Sequence, residues 1–257
     1  MRNETQRNEK IFGCFYNLCW LKIPHPSSLK MLLLSRHPFP NTHFGIWQIA
    51  EEEEFFREDL PLSVQEEAEW VLYKGIRRLE WLAGRWLLHK LSGSVQRMPL
   101  AKTAFSKPFF PNDEQVLCSL SHSKGIVAAL LLSNAESGVS IGCDIQVLVE
   151  KMPRIAHKFL SAEEMNFVLQ HSPAVQFDLF HAFWTAKESL YKAYGLKELD
   201  FSDHIRVHDF EWSENRTEAI GSIQRGDFQQ HYTLLIEKMN LPETGGLMHT
   251  VCMKKGQ

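Results

Sequence analysis

The stretch Phe183-Trp184-Thr185-Ala186-Lys187-Glu188-Ser189-Leu190-Tyr191-Lys192-Ala193-Tyr194-Gly195 constrains this chain more than any other. Its apolar residues recur at helical spacing, and Gly195 stands where a left-handed cap closes a helix. At about 100° per residue, Leu179, Phe180, Phe183, Ala186 and Leu190 share one sector, which predicts a helix buried along that side. Lys187 projects into the edge of this sector, while Glu188 and Lys192 leave it on the opposite flank. A lysine bordering an apolar stripe needs an anion to meet it, because an unpaired buried charge is costly. On spacing alone, Glu188 and Lys192 also read as an ordinary i,i+4 surface pair.

The chain has 257 residues, 44% of them hydrophobic and 23% charged, which is the composition of one large globular domain or two small ones. A formal net charge of −3 gives no bulk reason to expect nucleic acid, so an anion site must be a local cluster. No apolar run reaches membrane-spanning length, so no membrane partner is expected. The five cysteines lack disulfide-framework spacing, and Cys118 and Cys143 lie in apolar, strand-like runs. A reducing, cytoplasmic location is the simplest fit.

Residues 1–30 differ from the rest. They open polar and charged, pass into a Cys/Trp/Pro mixture without a period, and lack the cleavage site of a signal peptide. Cys14 and Cys19 are a weak metal-ligand signal by themselves. A strand-like run starts at Met31, where the folded unit is expected to begin.

Beyond it the expected order is two strands (Met31–Ser35 and Phe44–Ile49), an acidic helical turn at Glu51–Glu54, and one long helix from the Ser63-x-x-Glu66 capping box to Leu91. That helix would bury Ala68, Leu72, Ile76, Leu79, Ala83, Trp86 and Leu87, with Lys74, Arg78, Arg85 and His89 along one margin. The margin reads either as a solubilising edge or as a cationic rail for a phosphate-bearing ligand.

Residues 92–113 are loop-rich, and two strands, Val116–Ser121 and Ile126–Leu132, flank a turn His122–Gly125 whose donors suit a phosphate. Val139–Val147 alternates strictly, and its mid-strand Asp144 beside Gly142 is locally unfavourable, as residues at sites tend to be. Lys151, Arg154 and Lys158 read as a basic loop, and Ser161-x-x-Glu164 as a second capping box. After Gly195 the chain reads as strands, with Tyr232–Met239 and Leu247–Cys252 forming a hairpin around Pro242–Gly246.

Six motifs stand in order: Arg77-Arg78 with Leu82-Ala83-Gly84-Arg85; Lys107-Pro108; Ser119-Leu120-Ser121-His122-Ser123; Gly142-Cys143-Asp144-Ile145-Gln146; Phe159-Leu160-Ser161-x-x-Glu164; and Trp184-x-x-Lys187-Glu188-x-x-x-Lys192. The set resembles the 4′-phosphopantetheinyl transferase superfamily in its larger, two-repeat Sfp-type form. The likeness runs over roughly residues 31–240 and rests on the order of the motifs and on the tight W-x-x-K-E-x-x-x-K.

The resemblance implies an α+β fold of two pseudo-two-fold-related halves, residues 31–137 and 138–257, each a small sheet packed with helices, in a monomer. It also implies transfer of the 4′-phosphopantetheine arm of coenzyme A to a serine of an apo acyl or peptidyl carrier protein, with release of 3′,5′-ADP. By similarity, Asp144 and Glu188 would hold Mg²⁺, and Glu188 would compete for a second role as the base that deprotonates the carrier serine. Lys192 would stabilise the departing phosphate, and His122 and Ser121 would hold phosphate oxygens. Lys187, Lys107 and either Arg85 or Arg78 would bind the nucleotide's other phosphates. The family often has an acid where Gln146 stands, a third ligand position that here adds no negative charge and lowers the expected metal affinity. The alternative reading is a non-catalytic module that binds coenzyme A and carrier proteins.

Overall fold

The computed structural model describes residues 32–241 and 245–254. The expectations for residues 1–31, including Cys14, Cys19 and a start at Met31, and for the centre of the Pro242–Gly246 turn lie outside the described residues.

The amino-terminal part runs β1 (Leu32–Arg36), β2 (Thr42–Gln48), α1 (Glu53–Glu58), α2 (Val64–Trp70), α3 (Ile76–Ser92), the short strands β3 (Ala101–Lys102) and β4 (Pro108–Phe109), β5 (Leu117–Ser123) and β6 (Ile126–Leu132). The remainder is β7 (Ser140–Val147), α4 (Met152–Ile155), α5 (Ala162–Leu169), α6 (Pro173–Tyr194), β8 (Ile205–Val207), β9 (Thr217–Arg225), β10 (Phe228–Met239) and β11 (Leu247–Lys254). Strands β1-β2-β6-β5 form one sheet and β7-β11-β10-β9-β8 another, every neighbour antiparallel. The fold is therefore α+β.

Alternation along the strands assigns each face. On β10, Tyr232, Leu234 and Ile236 meet α6, whereas Leu235 turns to the first sheet. The two sheets share a core of Phe44, Ile46, Leu130, Ile145, Val251 and their neighbours. The outer face of the first sheet carries α3 through Leu82, Trp86 and Leu87, giving the layer order helix, sheet, sheet, helix.

The predicted long helix over 63–91 is two helices. The capping box at Ser63 forms with Glu66, but the helix stops at Trp70 and restarts after Gly75, whose φ of +55° breaks the path. Leu72 and Ile76, expected on the buried face, lie at this break and are exposed. Two further corrections concern loops. His122 and Ser123 belong to β5, and the turn is only Lys124-Gly125, both with positive φ. Lys151, Arg154 and Lys158 do not lie in an open loop: Lys151 caps α4, Arg154 is inside it, and Lys158 ends the following 3₁₀ turn Ala156–Lys158.

Helix α6 is 22 residues long, begins with Pro173 at its first turn, and closes on Gly195 at φ +70°. Leu179, Phe180, Phe183, Ala186 and Leu190 are all buried along it. It reaches β7 closely enough that a Cβ on Gly142 would overlap the carbonyl oxygen of Ser189 and sit 2.9 Å from the Ala193 nitrogen. The glycine of the G-C-D motif is a seat for α6.

Candidate active site

Strand β7 is the edge of its sheet and β5 the edge of the other, and the two edges face one another. An edge strand leaves alternate backbone amides unpaired. Here the hydroxyls of β5 take them: Cys143 N–H donates to Ser119 Oγ (3.0 Å), Ile145 N–H to Ser121 Oγ (3.2 Å) and Val147 N–H to Ser123 Oγ (3.1 Å). This serine ladder fixes the register between the sheets and so places Asp144.

Ser121 was expected to hold a phosphate oxygen. Its hydroxyl instead donates to Asp144 Oδ1 at 2.6 Å, in addition to accepting the Ile145 amide. Ser121→Ala removes both bonds and leaves a buried amide without an acceptor, which is expected to cost about 1–3 kcal/mol in chemical denaturation.

Asp144 is buried, and its Oδ1 also receives Lys192 Nζ at 2.6 Å; Lys192 donates further to the Cys143 carbonyl at 3.1 Å. Burial disfavours the charge on Lys192, but Asp144, with Cys143 and Glu188 beside it, more than offsets this and raises the ammonium above its ordinary range. One turn earlier on the same helix flank stands Glu188. Its carboxyl is pushed up to about 7, first by burial and then by the Asp144 charge, with Lys192 acting in the opposite sense. Among the described residues, neither Glu188 nor Oδ2 of Asp144 accepts a hydrogen bond from the protein.

Two carboxylates forced into proximity, each with oxygen atoms free of protein donors, fit a hard divalent cation. No group of three His, Cys, Asp or Glu side chains converges among the described residues, so the protein would offer at most these two acids and an amide. Gln146 shares the strand face of Asp144 and donates its amide to the Val147 carbonyl (2.8 Å) and, weakly, to Ser123 Oγ (3.4 Å).

Glu188, Tyr191 and Lys192 line a cavity of about 250 Å³ together with Lys107, Pro108 and Leu120. A second cavity of about 240 Å³ shares Ser106, Pro108 and Leu120 with it and continues past Ser121 and His122 to Arg77, Arg85, Trp81 and Lys102. The two form one cleft along the β5 edge, with Glu188 at one end and a cationic chamber at the other.

Several predicted binding residues take other places. Lys187 does not reach the cleft: it is fully buried, paired with Glu164 at 2.6 Å, and donates to the carbonyls of Phe159, Phe201 and Ile205 at 2.7 Å each. It is a structural tie between α6, α5 and the segment before β8, and burial holds its ammonium below the ordinary range. Arg78 is turned away from the cleft, paired with Glu53 at 3.0 Å and stacked on Trp70 at 3.6 Å. The cationic rail does not form, since Lys74 precedes α3 and Arg85 is drawn into a buried network. Arg85 does line the cleft, stacked on Trp81 at 3.4 Å and paired with Glu69 at 3.3 Å and Glu66 at 3.6 Å. Burial lowers its guanidinium to about 10, against the pull of both glutamates.

Lys107 lines the cleft, but its Nζ caps the Ala193 carbonyl at the end of α6 (2.7 Å). His122 is exposed at the mouth, with Nδ1 2.9 Å from Glu80 and Arg77 against the ring. Lys102, Glu69, Glu80 and the ladder function of Ser119 and Ser123 lie outside the sites the sequence motifs mark. Only the ladder left a trace, three hydroxyls at alternate positions of one strand.

Residues 140–252 match the family model of the 4′-phosphopantetheinyl transferase superfamily, a span that includes Asp144, Glu188 and Lys192. Over that span the chain is similar to that superfamily. It is similar to the 4′-phosphopantetheinyl transferase AcpT of Salmonella typhimurium (strain LT2), at 32% identity over 124 residues, 48% of this chain and 62% of that protein. It is 34% identical over 146 residues to the protein of the same name in Escherichia coli (strain K12), covering 53% of this chain and 66% of the relative. The chain thus spans a little under two thirds of the length of these relatives.

Proposed function

We propose that this protein transfers the 4′-phosphopantetheine arm of coenzyme A to a serine of an apo acyl or peptidyl carrier protein. The observation that carries the proposal is the Asp144–Glu188–Lys192 constellation, two crowded carboxylates and an ammonium, of which Glu188 and Lys192 line the cleft along the β5 edge. The carrier serine Oγ forms a bond to the phosphorus that bears pantetheine, the bond from that phosphorus to the bridging oxygen breaks, and 3′,5′-ADP leaves. Glu188, whose carboxylate has no protein donor among the described residues, accepts the serine proton directly or through a water. Lys192 stands beside Asp144 to stabilise the charge that develops on the departing phosphate. Asp144, held by Ser121, and Glu188 would bind Mg²⁺, with Gln146 orienting a coordinated water. The ion would supply charge neutralisation at the pyrophosphate. Arg85 and His122 would face the nucleotide end of the substrate.

The same reading takes 31–137 and 138–257 as the two related halves of a monomer acting in the cytoplasm. Among the described residues no helix is long and apolar enough to cross a membrane.

Incubation with coenzyme A, Mg²⁺ and a panel of apo carrier proteins tests the function: a carrier mass gain of one phosphopantetheine arm supports it. Binding of coenzyme A without any mass gain replaces it by a non-catalytic binding module. Gln146→Glu is expected to tighten Mg²⁺ binding, because a carboxylate cannot keep the contact with the Val147 carbonyl and would turn toward Asp144 on the same strand face. Calorimetric titration with Mg²⁺ checks this, and unchanged or weaker affinity would mean that position 146 does not face the ion.

A further inference from the structure

A cavity of about 530 Å³, larger than either chamber of the cleft, shares no wall residue with them. It lies where the two sheets part at one end of their common core. Its floor is Phe39, Leu132, Val139, Leu235 and Met253, all of them in that core or packed against it. The rim comes from the β1–β2 turn, the β6–β7 connection and the start of β9. Backbone bonds fix this rim. Ser133 N–H donates to the Asn41 carbonyl (3.0 Å), Ala135 N–H to the Gln115 carbonyl (2.8 Å) and Val139 N–H to the Glu136 carbonyl (3.2 Å). The cavity is therefore preformed, as small-molecule sites usually are.

Floor and rim favour different parts of a ligand. The floor presents apolar surface, which favours an apolar body. On the rim, Arg216 and Glu218 pair at 3.2 Å and neutralise one another. Among the described residues Glu136 forms no ion pair, and the side chains of Asn41, Asn134 and Thr233 form no hydrogen bond. A carboxylate, two amide oxygens and a hydroxyl are thus free to accept. The uncompensated charge of the wall is negative. An ammonium is its complement, a compact positive charge with three donors and no acceptor. An anion would meet Glu136 and Glu218 instead, while the guanidinium of Arg216 is already engaged.

We propose that this cavity is a second binding site, for a primary amine carried on an apolar body. The ammonium takes the rim, against Glu136 and the uncharged acceptors, and the apolar body takes the floor between the sheets. The site does not rest on the transfer reading, because no residue of the cleft contributes to it.

The test is calorimetric titration of the full chain with three probes of one shape: 4-phenylbutylamine, 4-phenylbutanol and 4-phenylbutyrate. The amine is expected to bind about fivefold more tightly than the alcohol, the upper value for an exposed ion pair, and the acid to bind least. Glu136→Gln should bring the amine down to the alcohol's affinity and leave the alcohol unchanged. Ala135→Trp should fill the cavity and abolish binding of all three, since Ala135 lines it and is only partly buried. Circular dichroism melts establish that this variant is folded, and Val139→Trp replaces it if it is not. Excess coenzyme A should leave amine binding unaltered. Equal affinity for the three probes, a preference for the acid, or no binding at all overturns the proposal. So does an amine preference that survives Glu136→Gln, unaltered binding in the folded cavity-filling variant, or displacement of the amine by coenzyme A. A carrier that is never modified, alongside an amine preference that depends on Glu136, upholds this site and rejects only the transfer reading.

Discussion

Replacing Glu188 by glutamine is expected to reduce phosphopantetheine transfer by at least about 10³-fold, within the range that loss of a general base and of a charged ligand oxygen together supply. The substitution keeps the volume and the planar shape of the side chain, so α6 and the cleft wall should not change. It removes the negative charge, and with it both competing roles of the residue, since an amide neither takes the serine proton nor neutralises a divalent cation. The stability change has a predictable sign. Glu188 is half-buried beside Asp144, whose charge disfavours its ionisation, so the neutral amide relieves a like-charge contact. The melting temperature should equal or exceed that of the parent. Transfer is read from carrier mass and folding from the melt. Full activity in a folded variant would remove the proposed base and metal site together.

The sequence exposed this end of the site because its signals are local. Helical spacing and a glycine cap are enough to define α6, and an aspartate in the middle of an alternating strand conflicts with strand propensity. What spacing does not contain is the partner of a side chain from a distant segment. Lys187 was seen to require an anion, and it has one. That anion is Glu164, which the sequence shows only as the return arm of a capping box; its other oxygen accepts the Val207 amide, while the arm itself holds Ser161 N–H. A lysine beside an acid in a motif therefore reads as a ligand-binding residue when its ammonium is spent inside the core. The break of the expected long helix has a related cause. An isolated glycine is tolerated in helices at about 1 kcal/mol, so Gly75 alone did not announce a stop. The tertiary position of α3 against the first sheet decides it, since that packing buries Leu82, Trp86 and Leu87 and leaves Leu72 outside. Likewise Ser119, Ser121 and Ser123 are visible as alternating hydroxyls, but their function depends on which edge faces them.

Gly142→Ala tests the connection between fold and chemistry. At this position the helix backbone, not a side chain, faces the strand, because a Cβ would overlap the Ser189 carbonyl oxygen and crowd the Ala193 nitrogen. Gly221 on β9 plays a gentler part in the same seat, since a Cβ there would lie 2.7 Å from Leu190 Cδ1, an atom that can rotate aside. A backbone atom cannot, so α6 itself must lift from β7. We expect a loss of about 3–5 kcal/mol, above the usual range for an added methyl, because the whole helix loses contact with the buried residues beneath it. The chemistry should fall as well, even at temperatures where the variant is folded. Glu188 and Lys192 ride on the displaced helix, Asp144 stays on the strand tied to Ser121, and a shift of about 1 Å in such an arrangement costs roughly 10²-fold. Denaturant titration gives the first quantity and carrier modification at low temperature the second. A variant with unchanged stability would show that helix and strand are not in the contact described. A destabilised variant with unimpaired turnover would show that the distance between Asp144 and Glu188 does not matter to the reaction, and the two-carboxylate site would have to be abandoned.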